Sequence, residues 1–426
     1  MPVDSSPTVP SPHLDQVHPA PRTPSPWGNV ILAAVLMLAT LPGRTQGLGL
    51  ITEHLLRDFQ LDRVTYAKIN LWATLLGSAF CLPAGWIIDR CGLRRTTIGI
   101  VLPLAAVVFV MSAFFGSVAV LFVLVLLSRG LGQSALSVAS ITAAGKSIGR
   151  GEGWAMGVYS ALFSILYAVA FIFIGGTVEH HDWRLAWVEV AIGLVVVAIL
   201  TACFLREPLR LAGAAESVNG ATLGEALRAP VFWVFAVATA LFALVYAGFG
   251  LFNEAIFAEH GFSAEIYHRF VAISALWALS GQMLCGWLSL RRSMPRLLAM
   301  ALLLLASGLA ALPQLHTLTQ LWIFAGAFGL AVGFVTVIFF AVWGRAFGRA
   351  HLGRIQGAAQ MVTVFASAVG PLLFAESEKA CGSFTPLLYI LATIVGISGL
   401  TAWFCQLPPS PSTNVPSLHN GFGHTD

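Results

Sequence analysis

The sequence predicts an all-α membrane protein: twelve transmembrane helices in two pseudo-symmetric six-helix bundles. Three observations lead there. The 426 residues are 57% hydrophobic and only 10% charged, against about 25% charged in a typical soluble domain, and their mean hydropathy is +0.83. A water-exposed fold of this composition lacks polar surface to cover its core, a requirement that lipid as solvent removes. Apolar windows of roughly 20 residues, the length that crosses a hydrocarbon core, recur about twelve times. The two halves also carry related motifs at a nearly constant offset.

Residues 1–27 are rich in Pro and Ser and have no apolar run. They read as a disordered cytoplasmic tail, since a cleaved signal peptide needs a basic start followed by an apolar stretch. The first bundle is expected over 28–206, with spans near Val30–Ile51, Tyr66–Ile88, Thr96–Phe115, Val118–Ala144, Trp154–Thr177 and Leu185–Leu205. The longest polar interruption, 207–229, carries Glu207, Pro208, Glu216, Asn219 and Glu225 and reads as a cytoplasmic linker. The second bundle is expected over 230–406, with spans near Val231–Ala258, Tyr267–Leu290, Leu297–Leu312, Leu318–Trp343, Ile355–Phe374 and Phe384–Cys405. Residues 407–426, with four prolines, read as a second disordered cytoplasmic tail. The runs are apolar all round rather than striped, as expected of lipid-facing or buried helices.

Orientation follows from the short loops. With the N-terminus inside, the loops on that side hold 14 Lys or Arg against 6 on the other. Cytoplasmic loops carry the excess of basic residues, so a multi-pass protein of the cell membrane with both termini cytoplasmic is expected. Gly85-Trp86-Ile87-Ile88-Asp89-Arg90 follows the second span and Gly286-Trp287-Leu288-Ser289-Leu290-Arg291 the eighth, 201 positions later. Gly149-Arg150 and Gly348-Arg349 precede the fifth and eleventh spans, 199 positions apart. The matching place of each pair in its half argues for duplication, one of the known transporter plans.

Other chemistries find no footing. A formal charge of +4 is too small and dispersed for nucleic acid. The six cysteines form no C-x-x-C pair. Gly145-Lys146-Ser147 lacks both the early glycine of a phosphate loop, where Ser140 stands, and a preceding strand. His180-His181-Asp182 has no further spaced ligand for a metal. No Ser-His-Asp or paired-carboxylate layout falls in a membrane-buried position. No enzyme, cofactor or metal is expected. The expected partners are a small-molecule substrate and membrane lipid, with a co-transported or exchanged ion left open.

The stretch Gly85-Trp86-Ile87-Ile88-Asp89-Arg90-Cys91-Gly92-Leu93-Arg94-Arg95 resembles the loop motif of the major facilitator superfamily: Gly, three residues, Asp-Arg, one residue, Gly, a basic pair. Its place between the second and third spans agrees. Gly85 and Gly92 allow close backbone approach and a tight turn. Asp89 is an anion suited to the positive N-terminal end of a neighbouring helix. The resemblance implies that this helix is the eleventh, starting near Gly353. A contact made in one packing of the halves biases the inward/outward equilibrium, so Gly85, Asp89, Arg90, Gly92, Arg94 and Arg95 are the candidate conformational switch. The alternative is an ordinary charged turn. The second copy has Leu290 in place of the acid. Arg129-Gly130-Leu131-Gly132-Gln133-Ser134 resembles the family's fourth-span pattern in part. Arg150-Gly151-Glu152-Gly153-Trp154-Ala155-Met156-Gly157 is similar to the start of the fifth span in monocarboxylate-type and oxalate/formate-type members. The basic residue such carriers often place in the eighth or eleventh span is missing.

Two arginines fall inside spans, Arg44 in the first and Arg129 in the fourth. Each costs about 2.5–3.5 kcal/mol at a helix centre on insertion scales, so each should face a cavity or a partner. The resemblance places the first, fourth, seventh and tenth helices around a central cavity. Pro42, Gly43 and Gly47 weaken the first helix around Arg44, as at many transporter sites. The guanidinium is a planar five-donor fork suited to carboxylate or phosphate. Candidate substrate contacts are Arg44, Gln46, Arg129, Gln133, Tyr246 and Asn253. For each arginine the other reading is satisfaction of backbone carbonyls or a helix partner. The acids Glu53, Glu189 and Glu254 are the candidates for proton coupling, none clearly at the midplane.

The functional expectation is a secondary active transporter of a small solute, an organic anion such as a carboxylate, working by alternating access. The alternative is efflux of hydrophobic or drug-like compounds. A non-transporting membrane sensor or enzyme is the remote third.

Overall fold

The computed structural model describes residues 27–114, 116–147, 153–205 and 220–407. Residues 1–26, 115, 148–152, 206–219 and 408–426, which take in nearly all of the expected tails, most of the expected linker and the motif residues Gly149, Arg150, Gly151 and Glu152, lie outside the described residues. The chain is all-helical among the described residues. Eleven helices there are long and apolar enough to cross a bilayer. They are α2 (Arg63–Cys91), α3 (Leu93–Ala113), α4 (Val118–Ser147), α5 (Trp154–His180), α6 (Trp183–Phe204), α7 (Pro230–Glu259), α8 (Glu265–Leu288), α9 (Met294–Gln314), α10 (Leu318–Phe347), α11 (Leu352–Cys381) and α12 (Thr385–Phe404).

The remaining pass, α1, is broken. It starts as Trp27–Leu38, tightens through a 3-10 turn at Leu41–Gly43 and resumes as Thr45–Leu50 and Thr52–Asp58. Pro42 supplies no N–H to the helix ladder, and Arg44 takes an extended backbone (φ −94°, ψ 158°). The break sits where α1 touches α4. A side chain on Gly43 would collide with the Ser128 carbonyl and stand 2.8 Å from the Gln133 nitrogen. There α4 is itself irregular, winding as a π-helix over Arg129–Leu136. Such wide turns are uncommon and recur at functional sites.

The same packing scheme appears twice. In the first half α1 packs on α4 and α5, α2 on α4, and α3 on α6; in the second α7 packs on α11, α8 on α10, and α9 on α12. Each half is thus a six-helix bundle. The bundles meet where α2 lies against α11 and α5 against α8. Small residues let helix backbones approach closely inside a membrane, and both crossings use glycine. A Cβ on Gly157 would lie 2.8 Å from the Gln282 carbonyl, and one on Gly353 2.8 Å from the Gly85 carbonyl. Overpacking a tight site costs about 1–3 kcal/mol. Gly157→Val is therefore expected to lower the melting temperature of the purified protein. Gly99→Val, where nothing stands within 4 Å, should leave it unchanged; equal melting of the two would show the crossing to be loose.

Many outward side chains are large and apolar: Phe173 is 73% exposed, Ile323 68% and Phe404 81%. In water such a belt would drive aggregation; against lipid it is the contact surface. Part of the expected linker is ordered. Ala221 donates its N–H to the Phe347 carbonyl at 2.8 Å, and Thr222 and Glu225 form a capping box on the short helix Leu223–Arg228. The Thr222 N–H, 2.7 Å from Glu225, helps hold that carboxyl below the usual range.

Candidate functional site

Arg44 projects from the break in α1. Its Nε donates to Thr40 Oγ1 at 2.7 Å, and Nη2 reaches Ser137 Oγ on α4 and the Met37 sulfur, both at 3.1 Å. Nη1 has no partner among the described residues, and the side chain is half-buried. The extended residue at 44 turns the fork off the helix axis and toward α4.

Arg129 is 3% exposed. Nη1 donates to Thr45 Oγ1 at 2.9 Å and to Gln133 Oε1 at 2.8 Å; Nη2 donates to Asn70 Oδ1 at 2.8 Å. Nε is buried without a partner. All three acceptors are neutral, and no described ion pair includes Arg44 or Arg129. The partners orient Arg129 but leave its charge uncompensated. Desolvating such an ion costs several kcal/mol.

Around the two guanidiniums stands a group of tyrosines. Tyr66 and Arg44 lie within electrostatic reach of Arg129, and Arg44 within reach of Tyr159, Tyr167 and Tyr246. Tyr167 on α5 and Tyr246 on α7 lie near one another across the boundary between bundles. The Tyr66 and Tyr167 hydroxyls are buried without a partner, whereas that of Tyr159 pairs with Ser140 Oγ at 2.8 Å. Tyr246 keeps 41% of its surface open. Its ring stacks between Phe242 and Phe328, with centroids 5.7 and 6.3 Å away.

The other predicted contacts divide. Gln133 joins the group as an acceptor for Arg129. Gln46 is exposed on the resumed part of α1 with no described bond to the group. Asn253 is 7% exposed, and its Oδ1 accepts the N–H of Glu254 at 2.9 Å. It is thus tied to its own helix. Of the acids, Glu53 pairs with Arg63 at 3.0 Å near the surface, and Glu189 accepts from Thr177 at 3.3 Å rather than balancing an arginine.

The loop motif forms a second centre. Asp89 Oδ1 accepts from the Gly353 N–H at 3.2 Å and Oδ2 from the Arg354 N–H at 2.9 Å, so the carboxylate caps the first turn of α11. Lys146, at the end of α4, adds an ammonium 3.0 Å from Oδ1; the Asp89 side chain is 2% exposed. Gly85 lets α2 approach, since any Cβ there would meet the Gly353 carbonyl. Gly92 takes φ +91°, in the region that favours glycine. Arg94 donates to the Ala202 carbonyl. Arg90 lies over the Trp86 ring at 4.9 Å, as Arg291 lies over Trp287 at 4.6 Å. Arg95 is exposed.

Several members escaped sequence reasoning. Thr45, Asn70 and Ser137 are small polar residues inside apolar runs; only the need of a buried arginine for acceptors could have flagged them. Tyr159 and Tyr167 sit in a span read as uniformly apolar. Lys146 is legible as one of the basic residues on the Asp89 side of the membrane, but its pairing with Asp89 needed the fold.

The family model of the Major Facilitator Superfamily matches residues 32–371. No curated protein is matched by sequence. Among solved structures, the human organic anion transporter MFSD10 (TETRAN) is similar at TM-score 0.70 and 15% identity, over 89% of this chain and 100% of that one. The major facilitator transporter FucP in its outward conformation is similar at TM-score 0.68 and 14% identity, over 89% and 98%. A variant of the E. coli fucose:proton symporter FucP gives TM-score 0.70 at 14% identity, over 90% and 100%.

Proposed function

The chain belongs to the major facilitator superfamily, and from that premise, secondary transport of a small solute by a multi-pass membrane protein, we propose an organic anion such as a carboxylate as the solute. One observation carries the reading: among the described residues Arg44 offers an unpartnered Nη1 edge beside Arg129, and neither has a carboxylate partner. A carboxylate arriving there gains charge-assisted hydrogen bonds, about twice as strong as neutral ones. The unpaired Tyr167 hydroxyl and Gln133 offer further polar contacts, and the Tyr246 stack an apolar wall. The similar structures are an organic anion transporter in one case and a fucose:proton symporter in the other, so the shared fold does not choose the substrate; the two guanidiniums without acidic partners support an anion.

Alternating access follows the interface. Asp89 ties α2 to the start of α11 while the chamber around Tyr246 stays open, an arrangement suited to a state closed on the Asp89 side. With Arg90, Gly92, Arg94 and Arg95 fixing the turn, breaking the Asp89 cap frees that side to open. The basic-residue asymmetry supports a cell-membrane protein with this face, and both termini, in the cytoplasm. A second reading, efflux of hydrophobic compounds, draws on the Phe242, Tyr246 and Phe328 stack.

The two readings separate in a thermal-shift screen. A ligand at 100 times its Kd stabilises the state it binds by about 2.7 kcal/mol. Small carboxylates are expected to raise the melting temperature of the purified protein, and the matching neutral amides to leave it unchanged. Equal stabilisation by acid and amide would favour the hydrophobic reading.

A further inference from the structure

The 201-residue offset of the repeat pairs two grooves on the lipid face. The first is a shallow, open trough between α2 and α4 of about 320 Å³, lined by Thr65, Lys68, Ile69, Trp72, Leu76 and Phe122. The second, equally open, lies between α8 and α10 with about 530 Å³; Ile273, Trp277 and Ile323 are among its lining residues. Shifting Trp72, Leu76 and Phe122 by 201 gives Ile273, Trp277 and Ile323, and shifting Lys68 gives Arg269. Trp72 is 56% exposed, Leu76 50%, Trp277 45% and Ile323 68%, so both grooves open outward, away from the central chamber. Lys68 lines the first groove toward its outer end, and Arg269 lies one helical turn before Ile273 of the second.

The two cations differ in one respect. Arg269 is neutralised by Glu265 at 2.5 Å. Lys68 is exposed, lines its groove and has no hydrogen bond or ion pair among the described residues. The nearby Arg63 and Asp62 are engaged with Glu53 and Thr65 respectively. From Lys68 to Leu76 is about 12 Å at 1.5 Å per helical residue, close to the depth of one leaflet of a roughly 30 Å hydrocarbon core. Lys68 lies at the opposite end of α2 from Asp89, which places the trough in the leaflet away from the Asp89 cap.

We propose that the α2/α4 groove is a seat for one anionic phospholipid, an acyl chain lying along Ile69, Trp72, Leu76 and Phe122 and the headgroup meeting the Lys68 ammonium. The α8/α10 groove offers the same trough with its charge already satisfied, so it takes an acyl chain without preference among headgroups.

Native mass spectrometry of the full chain, titrated with phosphatidylglycerol or phosphatidylcholine, tests this. The unmodified protein should retain phosphatidylglycerol in preference. Lys68→Gln should reduce that preference about fivefold, the effect of one basic side chain at a membrane surface, and Arg269→Gln should leave it unchanged. Leu76→Trp, which fills the trough from an exposed position, should lower retention of both lipids. The proposal fails if Lys68→Gln keeps the full preference, if Arg269→Gln loses it equally, or if Leu76→Trp retains both lipids undiminished.

Discussion

Arg44→Ala is expected to lower carboxylate uptake by proteoliposomes about 30-fold or more. That is the lower end of the 2–5 kcal/mol lost when one partner of a buried hydrogen-bonded charge pair is truncated. The fold should survive, because Arg44 is only half-buried and its protein partners are a hydroxyl of its own helix, a thioether and Ser137. Arg44→Lys keeps the charge but not the fork, so it should restore uptake in part. Carboxylate uptake that persists in Arg44→Ala would remove the anion reading and leave the hydrophobic one.

Asp89→Ala should open the face that α2 and α11 close. It deletes two backbone contacts to the first turn of α11 and the Lys146 ion pair. Breaking a buried pair typically costs about 3–5 kcal/mol, and the bias falls on the conformer that makes the contact. A native reporter lies at this seam. Cys81 is fully buried, and its backbone approaches Gly357 of α11. With Cys91, Cys203, Cys285, Cys381 and Cys405 replaced by serine, Cys81 should resist maleimide in the otherwise unmodified protein. It should react about tenfold faster or more in Asp89→Ala, since 1.4 kcal/mol of bias already gives a factor of ten. An unchanged rate would show Asp89 to be an ordinary charged turn.

Both experiments rest on residues legible before any coordinates. An arginine in an apolar run must face something polar, and Pro42, Gly43 and Gly47 mark a weak helix. The acid of the loop motif stands out for the same reason, as does its loss at Leu290. What the sequence withholds is rotation about each helix axis. Helices apolar all round carry no stripe to show which side faces inward. Gln46, exposed on α1 with no described bond to the arginines, and Gln133, bound to Arg129, look alike as letters. Asn253 looked available, yet its side chain is turned onto its own backbone. The extension of α1 to Asp58 was missed because Glu53, His54, Arg57 and Asp58 read as loop. In the structure Asp58 instead accepts from Trp183 and Arg184 at 3.1 Å, clasping the end of α1 to α6.

Anion transport of this kind requires a water-filled chamber, shared by both bundles, whose field is positive. Tyr246→Cys reads it directly, since that position sits on α7 within reach of Arg44. Labelling from the face opposite Asp89 with small methanethiosulfonates, one sulfonate-bearing and one quaternary ammonium, gives a rate ratio to compare with that of the exposed Cys381. Tyr246→Cys is expected to react and to favour the sulfonate more strongly than Cys381 does. A cysteine at 246 that stays unreactive, or that favours the cationic reagent relative to Cys381, would contradict it.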